Sequence, residues 1–225
     1  MILFANEILA DHLNAFRVCT LPPDDRLAPP VASHADMLTF TYGETVIFER
    51  EYYCVNERRL TPYISTPAHL ALTSLPRSCI YPHDIGLNAL LVGDTLFCNA
   101  RHTAPEILNC GAEIVDVRQG YAACSTLVLS ERTIVTADPS IARAAERKGL
   151  DVLAIRPGYV RLTGYNTGFI GGATAKIGNT VYFFGDPSSH PDFYRIEEAC
   201  LREDLAPKHL FDGPLTDLGG VRALK

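Results

Sequence analysis

Side chains that could carry out nucleophilic or acid–base chemistry occur in short polar strings along this sequence. The set contains one thiol, two imidazoles, three carboxylates, one amide, one hydroxyl and a pair of glycines: Cys124, His34, His83, Asp36, Asp84, Asp217, Asn88, Ser125, Gly171 and Gly172. A thiolate can attack an electrophilic carbon, an imidazole can transfer the proton, and carboxylates can orient the imidazole or bind a cation. Brought together, these groups would suit nucleophilic catalysis on a small polar substrate.

Cys124 has two interpretations. In the first it is a nucleophile, with His34 or His83 as the base that removes its proton. In the second it is a small buried apolar side chain, as free cysteines commonly are, and each histidine is a hydrogen-bonded core residue. Only the first interpretation makes these three residues catalytic.

The three aspartates of the set have a binding interpretation and a structural one. Asp36, Asp84 and Asp217 would bind an amino or guanidino group of a substrate through charge-assisted hydrogen bonds. Alternatively, each caps a strand or turn through its own backbone, as aspartate commonly does. Three acids converging on one site are costly unless a cationic partner is present.

The amide, hydroxyl and glycine positions are also predicted to bind the substrate, with structural alternatives. Asn88 and Ser125 could instead hydrogen-bond a neighbouring unit of the fold. Gly171 and Gly172 either allow close packing or present backbone N–H groups to a ligand. The glycine-rich string precedes a predicted strand rather than a helix, so neither dinucleotide-binding nor P-loop geometry applies. No cofactor and no metal site is predicted.

A repeated hairpin pattern would position these strings. Four segments each carry an apolar strand, a short polar turn and a second β-rich strand: Met37–Glu49, Leu87–Asn99, Ser125–Asp138 and Ala173–Asp186. Their turns contain pairs that allow two strands to reverse direction: Gly43-Glu44, Gly93-Asp94, Ser130-Glu131 and Gly178-Asn179. Each repeat therefore opens with a hairpin, and the polar strings lie just before its first, inner strand.

A helix and a third strand follow each hairpin. The clearest helix is predicted over Pro139–Leu150, with Asp138 as N-cap and Gly149 at its C-terminal end, and it leads into a strand over Asp151–Arg156. Matching helices and strands are predicted over Ala104–Asn109, Glu113–Arg118, His190–Glu203 and Lys208–Asp212. Residues 50–78 match the repeat worst, as a longer and irregular insertion.

The fifth repeat is predicted to be split between the two ends of the chain. Its outer strand, helix and third strand fall at Met1–Asn6, Glu7–Arg17 and Val18–Pro22, and its inner strand at Leu218–Leu224. Pairing of the two ends would leave no orphan strand edge. We therefore predict a single α/β domain over residues 1–225, a five-bladed propeller of β-β-α-β units. The approximate blades are 214–225 plus 1–30, 31–82, 83–119, 120–163 and 164–213.

Blade number, strand order and terminal closure together resemble the pentein superfamily, which includes arginine deiminases, dimethylarginine hydrolases, amidinotransferases and a ribosome anti-association factor. The string His34-Ala35-Asp36 is similar to the His-x-Asp of its guanidine-modifying members. Their terminal Gly-Gly-x-x-Cys, whose cysteine is the nucleophile, corresponds to Gly-Gly-Val-Arg-Ala over Gly219–Ala223. The resemblance implies a scaffold for guanidine chemistry with an alanine at the nucleophile position. The strings over 120–126 and 164–174 resemble an uncharacterised bacterial family.

Composition excludes several classes of partner. The net charge of −6 and the pI near 5.6 oppose nucleic-acid binding, because phosphate backbones attract clustered Lys and Arg. No apolar stretch approaches the roughly 20 residues that span a bilayer, and the first residues lack the positive segment of a signal peptide. The seven cysteines contain no C-x-x-C pair, which predicts free thiols in a reducing, cytoplasmic compartment. The oligomeric state is left open.

Two functions fit these residues. The first is a hydrolase or transferase that acts on a small polar, amidine- or amide-type substrate in the central channel through Cys124. The second is a non-catalytic module that binds a small molecule or a protein on the same fold, and Ala223 at the expected nucleophile position favours it. Catalysis needs a thiol and an imidazole within hydrogen-bonding distance, whereas binding does not.

Overall fold

The computed structural model of this protein describes residues 1–64, 66 and 69–225, and within them fifteen strands form five separate sheets of three strands each. In chain order the strands are β1 (Ile2–Ala5), β2 (Arg17–Thr20), β3 (Thr39–Tyr42), β4 (Thr45–Glu49), β5 (Leu70–Thr73), β6 (Leu90–Val92), β7 (Thr95–Cys98), β8 (Glu113–Asp116), β9 (Thr126–Val128), β10 (Thr133–Thr136), β11 (Asp151–Ala154), β12 (Thr174–Ile177), β13 (Thr180–Phe183), β14 (Ala206–His209) and β15 (Val221–Leu224).

Helices connect these strands and are mostly short. The α-helices of the described residues are α1 (Glu7–Ala10), α2 (Ala35–Leu38), α3 (Arg50–Leu60), α4 (Pro105–Leu108), α5 (Pro139–Arg147) and α6 (Phe193–Arg202). Single 3-10 turns occupy Pro29–Val31, Thr61–Tyr63 and Pro187–Ser189. Within the same residues, no helix has the length and apolar character that a membrane crossing would require.

All five sheets share one strand pattern. The central strand pairs antiparallel with one neighbour and parallel with the other, as in the sheet of β9, β10 and β11. A parallel strand needs a crossover connection, and α5 supplies it between β10 and β11. Asp138 begins α5 by accepting hydrogen bonds from the N–H groups of Ser140 and Ile141 at 2.8 and 2.9 Å. Gly149 follows with a φ of +77°, so the predicted N-cap and C-terminal glycine are confirmed.

The two ends of the chain meet in one sheet. Its central strand is β1, which pairs antiparallel with β15 and parallel with β2. Ile2 lies opposite Leu224 and Ala5 lies opposite Val221, so the predicted pairing of the terminal strands is confirmed. Backbone pairing stops at the edge of each sheet, so the described strands form five sheets and not one closed sheet.

Side-chain packing joins neighbouring sheets. For example, Phe4 of β1 packs edge-on against Phe48 of β4, with ring centroids 5.6 Å apart, and Val135 of β10 shares a cluster with Phe183 of β13. Among the inner strands, β15 lies beside both β3 and β12, and β12 lies beside β9. The inner strands are therefore neighbours without sharing a sheet.

Some helices are shorter than predicted. The helix that begins at Glu7 ends at Ala10 rather than Arg17, and turns carry the chain to β2. The helix predicted from His190 begins at Phe193, because a 3-10 turn precedes it. Hydrophobic periodicity locates an element, whereas local turns set its ends.

The segment predicted as an irregular insertion contains α3, which has eleven residues and is the longest helix of the described chain. Glu49 caps it by accepting hydrogen bonds from the N–H groups of Glu51 and Tyr52 at 3.1 and 2.8 Å. Only three of its side chains are buried, so its apolar periodicity is weak. Positions 65, 67 and 68 of the predicted 50–78 insertion lie outside the described residues.

Candidate functional site

Five of the predicted polar residues meet where the chain enters the inner strands. They come from the turn and helix before β3, the loop before β6, the turn before β9 and the loop before β15, and each is 4% exposed or less. We call this group the head cluster: His34, Asp36, Asn88, Cys124 and Asp217.

The Cys124 thiol lies at the centre of the head cluster. Its Sγ donates a hydrogen bond to Asp36 Oδ2 at 2.8 Å and accepts one from Asn88 Nδ2 at 3.0 Å. In the described structure neither predicted histidine forms a hydrogen bond with this sulfur. The thiol is therefore paired with a carboxylate and an amide, and the expected pairing with an imidazole is not found.

Asn88 uses both ends of its amide within the fold. Its Oδ1 accepts hydrogen bonds from the N–H groups of Ala123 and Cys124 at 2.9 and 3.3 Å. Its Nδ2 contacts Met37 Sδ at 3.2 Å in addition to the Cys124 sulfur. Asn88 thus joins the entries to three inner strands, which supports the structural alternative over substrate binding.

Asp217 and His34 form the other half of the head cluster. The carboxylate of Asp217 accepts hydrogen bonds from the N–H groups of Phe169 and Gly219 at 2.9 and 3.0 Å. His34 Nδ1 lies 3.7 Å from Asp217 Oδ1. Burial lowers the pKa of His34 to about 4, so this contact places a neutral imidazole beside the carboxyl group and is not an ion pair at neutral pH.

Burial also controls the ionisation of the acids and the thiol. It raises the pKa of Asp36 to about 6, although Arg222 and the Cys124 hydrogen bond act in the opposite direction. It raises the pKa of Asp217 to about 7, with the charge of Asp36 adding to the effect. The pKa of the Cys124 thiol lies well above its usual value, first through burial and then through the charges of Asp36 and Asp217. At neutral pH the thiol is protonated and acts as a hydrogen-bond donor.

His83 and Asp84 lie apart from the head cluster, contrary to expectation. His83 is exposed, and its ring lies edge-on to His102 with centroids 5.7 Å apart. Asp84 is buried and accepts a hydrogen bond from the Tyr121 hydroxyl at 2.5 Å. Both residues line a separate small cavity, because the turn between Asp84 and β6 brings Asn88, and not residues 83–84, to the head cluster.

Ser125 also faces away from the thiol. Its carbonyl accepts a hydrogen bond from the Thr136 hydroxyl at 2.9 Å, and the residue lines a second cavity of about 190 Å³ together with Tyr159 and Phe169. The hydroxyl of Ser125 has no hydrogen-bond partner among the described residues. Its predicted contact with a substrate shared by Cys124 is therefore not supported.

Gly171 and Gly172 are positions of close packing. A Cβ on Gly171 would overlap the carbonyl oxygens of Ala123 and Thr126, and a Cβ on Gly172 would overlap the Asp217 carboxylate. The N–H of Gly172 donates to the Cys124 carbonyl at 3.0 Å. The close-packing interpretation is therefore the better supported, since this N–H is not free for a ligand.

A central cavity of about 250 Å³ begins at the head cluster and runs between the inner strands β3, β6, β9, β12 and β15. Asp36 lies at its head end, and its lining includes further polar side chains that the sequence reasoning missed. We call three of them the cavity wall: Thr126, Lys176 and Arg222. The sequence offered one signal for two of these residues, because Lys176 and Arg222 are charged residues in the middle of short predicted inner strands.

Several polar atoms around this cavity are buried without a partner in the described structure. They are Asp36 Oδ1, Thr126 Oγ1, and Arg222 Nε and Nη2. An unsatisfied buried polar group typically costs about 1–3 kcal/mol, and native proteins contain few of them. The three residues that carry these atoms line the same cavity. Among the described residues, no three His, Cys, Asp or Glu side chains are grouped to hold a metal ion.

Comparison with protein families places the chain in a family without an assigned role. The model described as "Family of unknown function (DUF6873)" matches residues 5–222. The chain belongs to this family. No curated protein matches it.

Several solved structures are similar to this fold over most of the chain. DDAH from Pseudomonas aeruginosa, in a mutant form complexed with citrulline, matches with a TM-score of 0.55 and 12% identity over 92% of this chain and 91% of that chain. Two other structures of dimethylarginine dimethylaminohydrolase match with TM-scores of 0.56, 12% identity and the same coverage. One is a mutant adduct with S-methyl-L-thiocitrulline and the other an adduct with 4-chloro-2-hydroxymethylpyridine. The DUF6873 chain therefore has a pentein-like, mixed α/β fold.

Proposed function

We propose that this protein binds a small polar molecule in its central cavity and does no covalent chemistry at Cys124. The observation that carries the proposal is the set of buried polar atoms without partners on Asp36, Thr126 and Arg222. All three residues line the same cavity. A ligand that hydrogen-bonds these atoms would remove the cost of leaving them unpaired.

The size of the cavity suits a small metabolite. Its volume of about 250 Å³ exceeds the ~150 Å³ of an engineered cavity that binds benzene. We also infer that the five sheets stand around this space as a five-bladed propeller, since all five inner strands contribute to its lining. Small-molecule sites are commonly concave, with a few polar groups that orient the ligand.

Two features favour binding over catalysis. Cys124 is a buried, protonated hydrogen-bond donor, and it lacks the imidazole partner that would activate it. Ala223, which the pentein resemblance puts at the nucleophile position, packs with a hydrophobic cluster that includes Leu3. The fold of dimethylarginine dimethylaminohydrolase therefore supplies an architecture here and does not by itself specify a reaction.

A thermal-shift screen with two tryptophan variants tests the proposal. The compounds are small polar carboxylates, amides, amines and guanidino compounds. Thr41 lines the cavity, so Thr41→Trp would fill part of it, whereas Thr45→Trp places the same side chain on β4, outside the cavity. We expect at least one compound to raise the melting temperature of the wild type and Thr45→Trp but not that of Thr41→Trp.

Two results would contradict the proposal. The first is that no compound stabilises the wild type, or that every stabilising compound acts equally on Thr41→Trp. The second is turnover of a guanidino compound that is lost in Cys124→Ser, which would restore the catalytic interpretation.

A further inference from the structure

Within the proposed binding function, we infer that the ligand carries a carboxylate group and that Arg222 binds this group through two parallel hydrogen bonds. The inference rests on the proposed function and specifies the chemical class of ligand for the same cavity. It also assigns a binding role to Arg222.

The free atoms of Arg222 form one edge of its guanidinium group. The N–H of Nε and one N–H of Nη2 point in the same direction from the planar group, and together they match the two oxygens of a carboxylate. Both nitrogens are buried and neither has a partner among the described residues. An edge of two buried, parallel donors selects a planar anion with two acceptors.

Charge in the cavity favours an anion over a cation. The described residues that line it include two cations, Arg222 and Lys176, and a single acid, Asp36. Even with Asp36 ionised, the two cations leave these charged side chains with a net positive charge. A guanidino or amino ligand would face a net positive wall, whereas a carboxylate would be attracted to it.

The remaining free atoms indicate a second polar group on the ligand. Asp36 and Thr126 both line the cavity, and their atoms Oδ1 and Oγ1 are buried without partners in the described structure. A carboxylate oxygen can accept from a hydroxyl but cannot donate to a carboxylate. A hydroxyl or amide N–H on the ligand would satisfy Asp36 Oδ1, so the site fits a small carboxylate that also carries a hydrogen-bond donor.

Ligand sets that differ in a single group test this inference. Lactate, lactamide and 1-amino-2-propanol are similar in size and share one hydroxyl but carry a carboxylate, an amide and an amine; matched sets built on succinate and glutamate extend the range. Binding is measured by calorimetry or NMR titration at constant ionic strength with the wild type, Arg222→Lys, Arg222→Met and Thr45→Trp. Melting temperatures without ligand establish that each variant is folded.

We expect a carboxylate to bind best in at least one set. Arg222→Lys keeps the charge but loses the paired donors, and it should weaken that binding by at least about tenfold. Arg222→Met should abolish it, while Thr45→Trp binds like the wild type.

The inference and the proposed function fail in different ways. If amides or amines bind in the cavity as well as their carboxylates, or if Arg222→Met keeps wild-type affinity, the ligand class is wrong and the binding function stands. If no compound of any charge binds in a manner that Thr41→Trp blocks, both are wrong.

Discussion

The head cluster lies just before the inner strands and the cavity wall lies on inner strands, and the polar groups of these two regions are paired in opposite ways. In the head cluster, Asn88 makes hydrogen bonds with both of its polar atoms, and Cys124 both donates and accepts. In the cavity wall, two nitrogens of Arg222 and the hydroxyl of Thr126 have no partner in the described structure. Asp36 belongs to the head cluster and also lines the cavity, with one oxygen paired and the other without a partner in the described structure.

This difference separates residue types that suit catalysis from atoms available to a ligand. The head cluster contains the residue types of a catalytic site, a thiol, an imidazole and carboxylates. Its thiol and carboxylates, however, form hydrogen bonds with one another, with Asn88 and with the backbone. The cavity wall lacks the residue types of a nucleophilic site, but the Thr126 hydroxyl and two Arg222 nitrogens have no partner in the described structure. Stability should therefore depend on the head cluster and binding on the cavity wall.

Substitution of Gly172 should have the largest effect. In Gly172→Ala the added Cβ would overlap the Asp217 carboxylate, so we expect a loss of at least about 3 kcal/mol in the free energy of unfolding, or no folded protein. Gly86→Ala is the matched control, because its Cβ would meet chiefly the flexible end of Leu75 and should cost less than about 1 kcal/mol. Urea unfolding of both variants measures the difference. Equal stabilities would show that the head cluster is loosely packed.

A pair of polar deletions compares the two regions directly. Asn88→Ala leaves the N–H groups of Ala123 and Cys124 buried without an acceptor and should cost roughly 2–4 kcal/mol. Thr126→Val removes a buried hydroxyl that has no partner in the described structure, so the free energy of unfolding should stay unchanged or rise by up to about 1–3 kcal/mol. Ligand affinity should change in the opposite order, falling in Thr126→Val and persisting in folded Asn88→Ala. The comparison breaks down if Thr126→Val is the less stable variant.

The reactivity of Cys124 tests whether the head cluster is closed. Cys54 and Cys79 are exposed, whereas Cys124 is buried and its thiol pKa is raised. Because burial restricts access to the thiol and the raised pKa lowers its thiolate fraction, iodoacetamide at neutral pH should modify Cys124 much more slowly than the two exposed thiols. Mass spectrometry of timed digests gives the rates. Faster labelling of Cys124 than of the exposed cysteines would support a nucleophile.

A smaller effect is expected in the pH dependence of stability. The folded protein raises the pKa of Asp36 from 3.8 to about 6, so the folded state holds this proton more tightly and loses stability as pH rises between these values. Asp36→Asn removes that loss, and its melting temperature relative to the wild type should be a few degrees higher at pH 8 than at pH 4.

Other titratable or charged groups near Asp36 also affect this measurement, and the comparison of the two proteins must account for them. Arg222, Cys124 and Asp217 act on its charge. His34, whose lowered pKa makes stability rise with pH, is present in both proteins and cancels in the difference. A difference that is constant from pH 4 to 8 would mean that Asp36 titrates normally.

Much of the fold follows from local sequence signals. The hairpin repeat, the cap at Asp138 and the split fifth sheet could be predicted because turn residues and alternating strands act over short distances. The helix over Arg50–Leu60 was not recognised, since few of its side chains are buried. The packing of one sheet against the next depends on side chains far apart in the sequence, which no local pattern encodes.

The site could be predicted only in part. The hairpin pattern puts Asp36 and Cys124 at the entries to two inner strands, and their side chains do meet. His83 and Asp84 lie elsewhere because the direction of a loop is not set by its distance from a strand. Arg222 was not chosen because its residue type suggests a surface position, and only the three-dimensional structure reveals that its guanidinium edge is buried and free.

The pairing of β1 with β15 also determines when the cavity can exist. Ile2 pairs with Leu224, so this sheet closes a loop of nearly the whole chain, the most non-local contact in the fold and one of the costliest in entropy to form. Arg222 lies on β15 and reaches the cavity only after that closure. A molecule that the cavity binds would therefore distinguish fully folded chains from near-native ones with open ends, and by mass action it would hold those ends together.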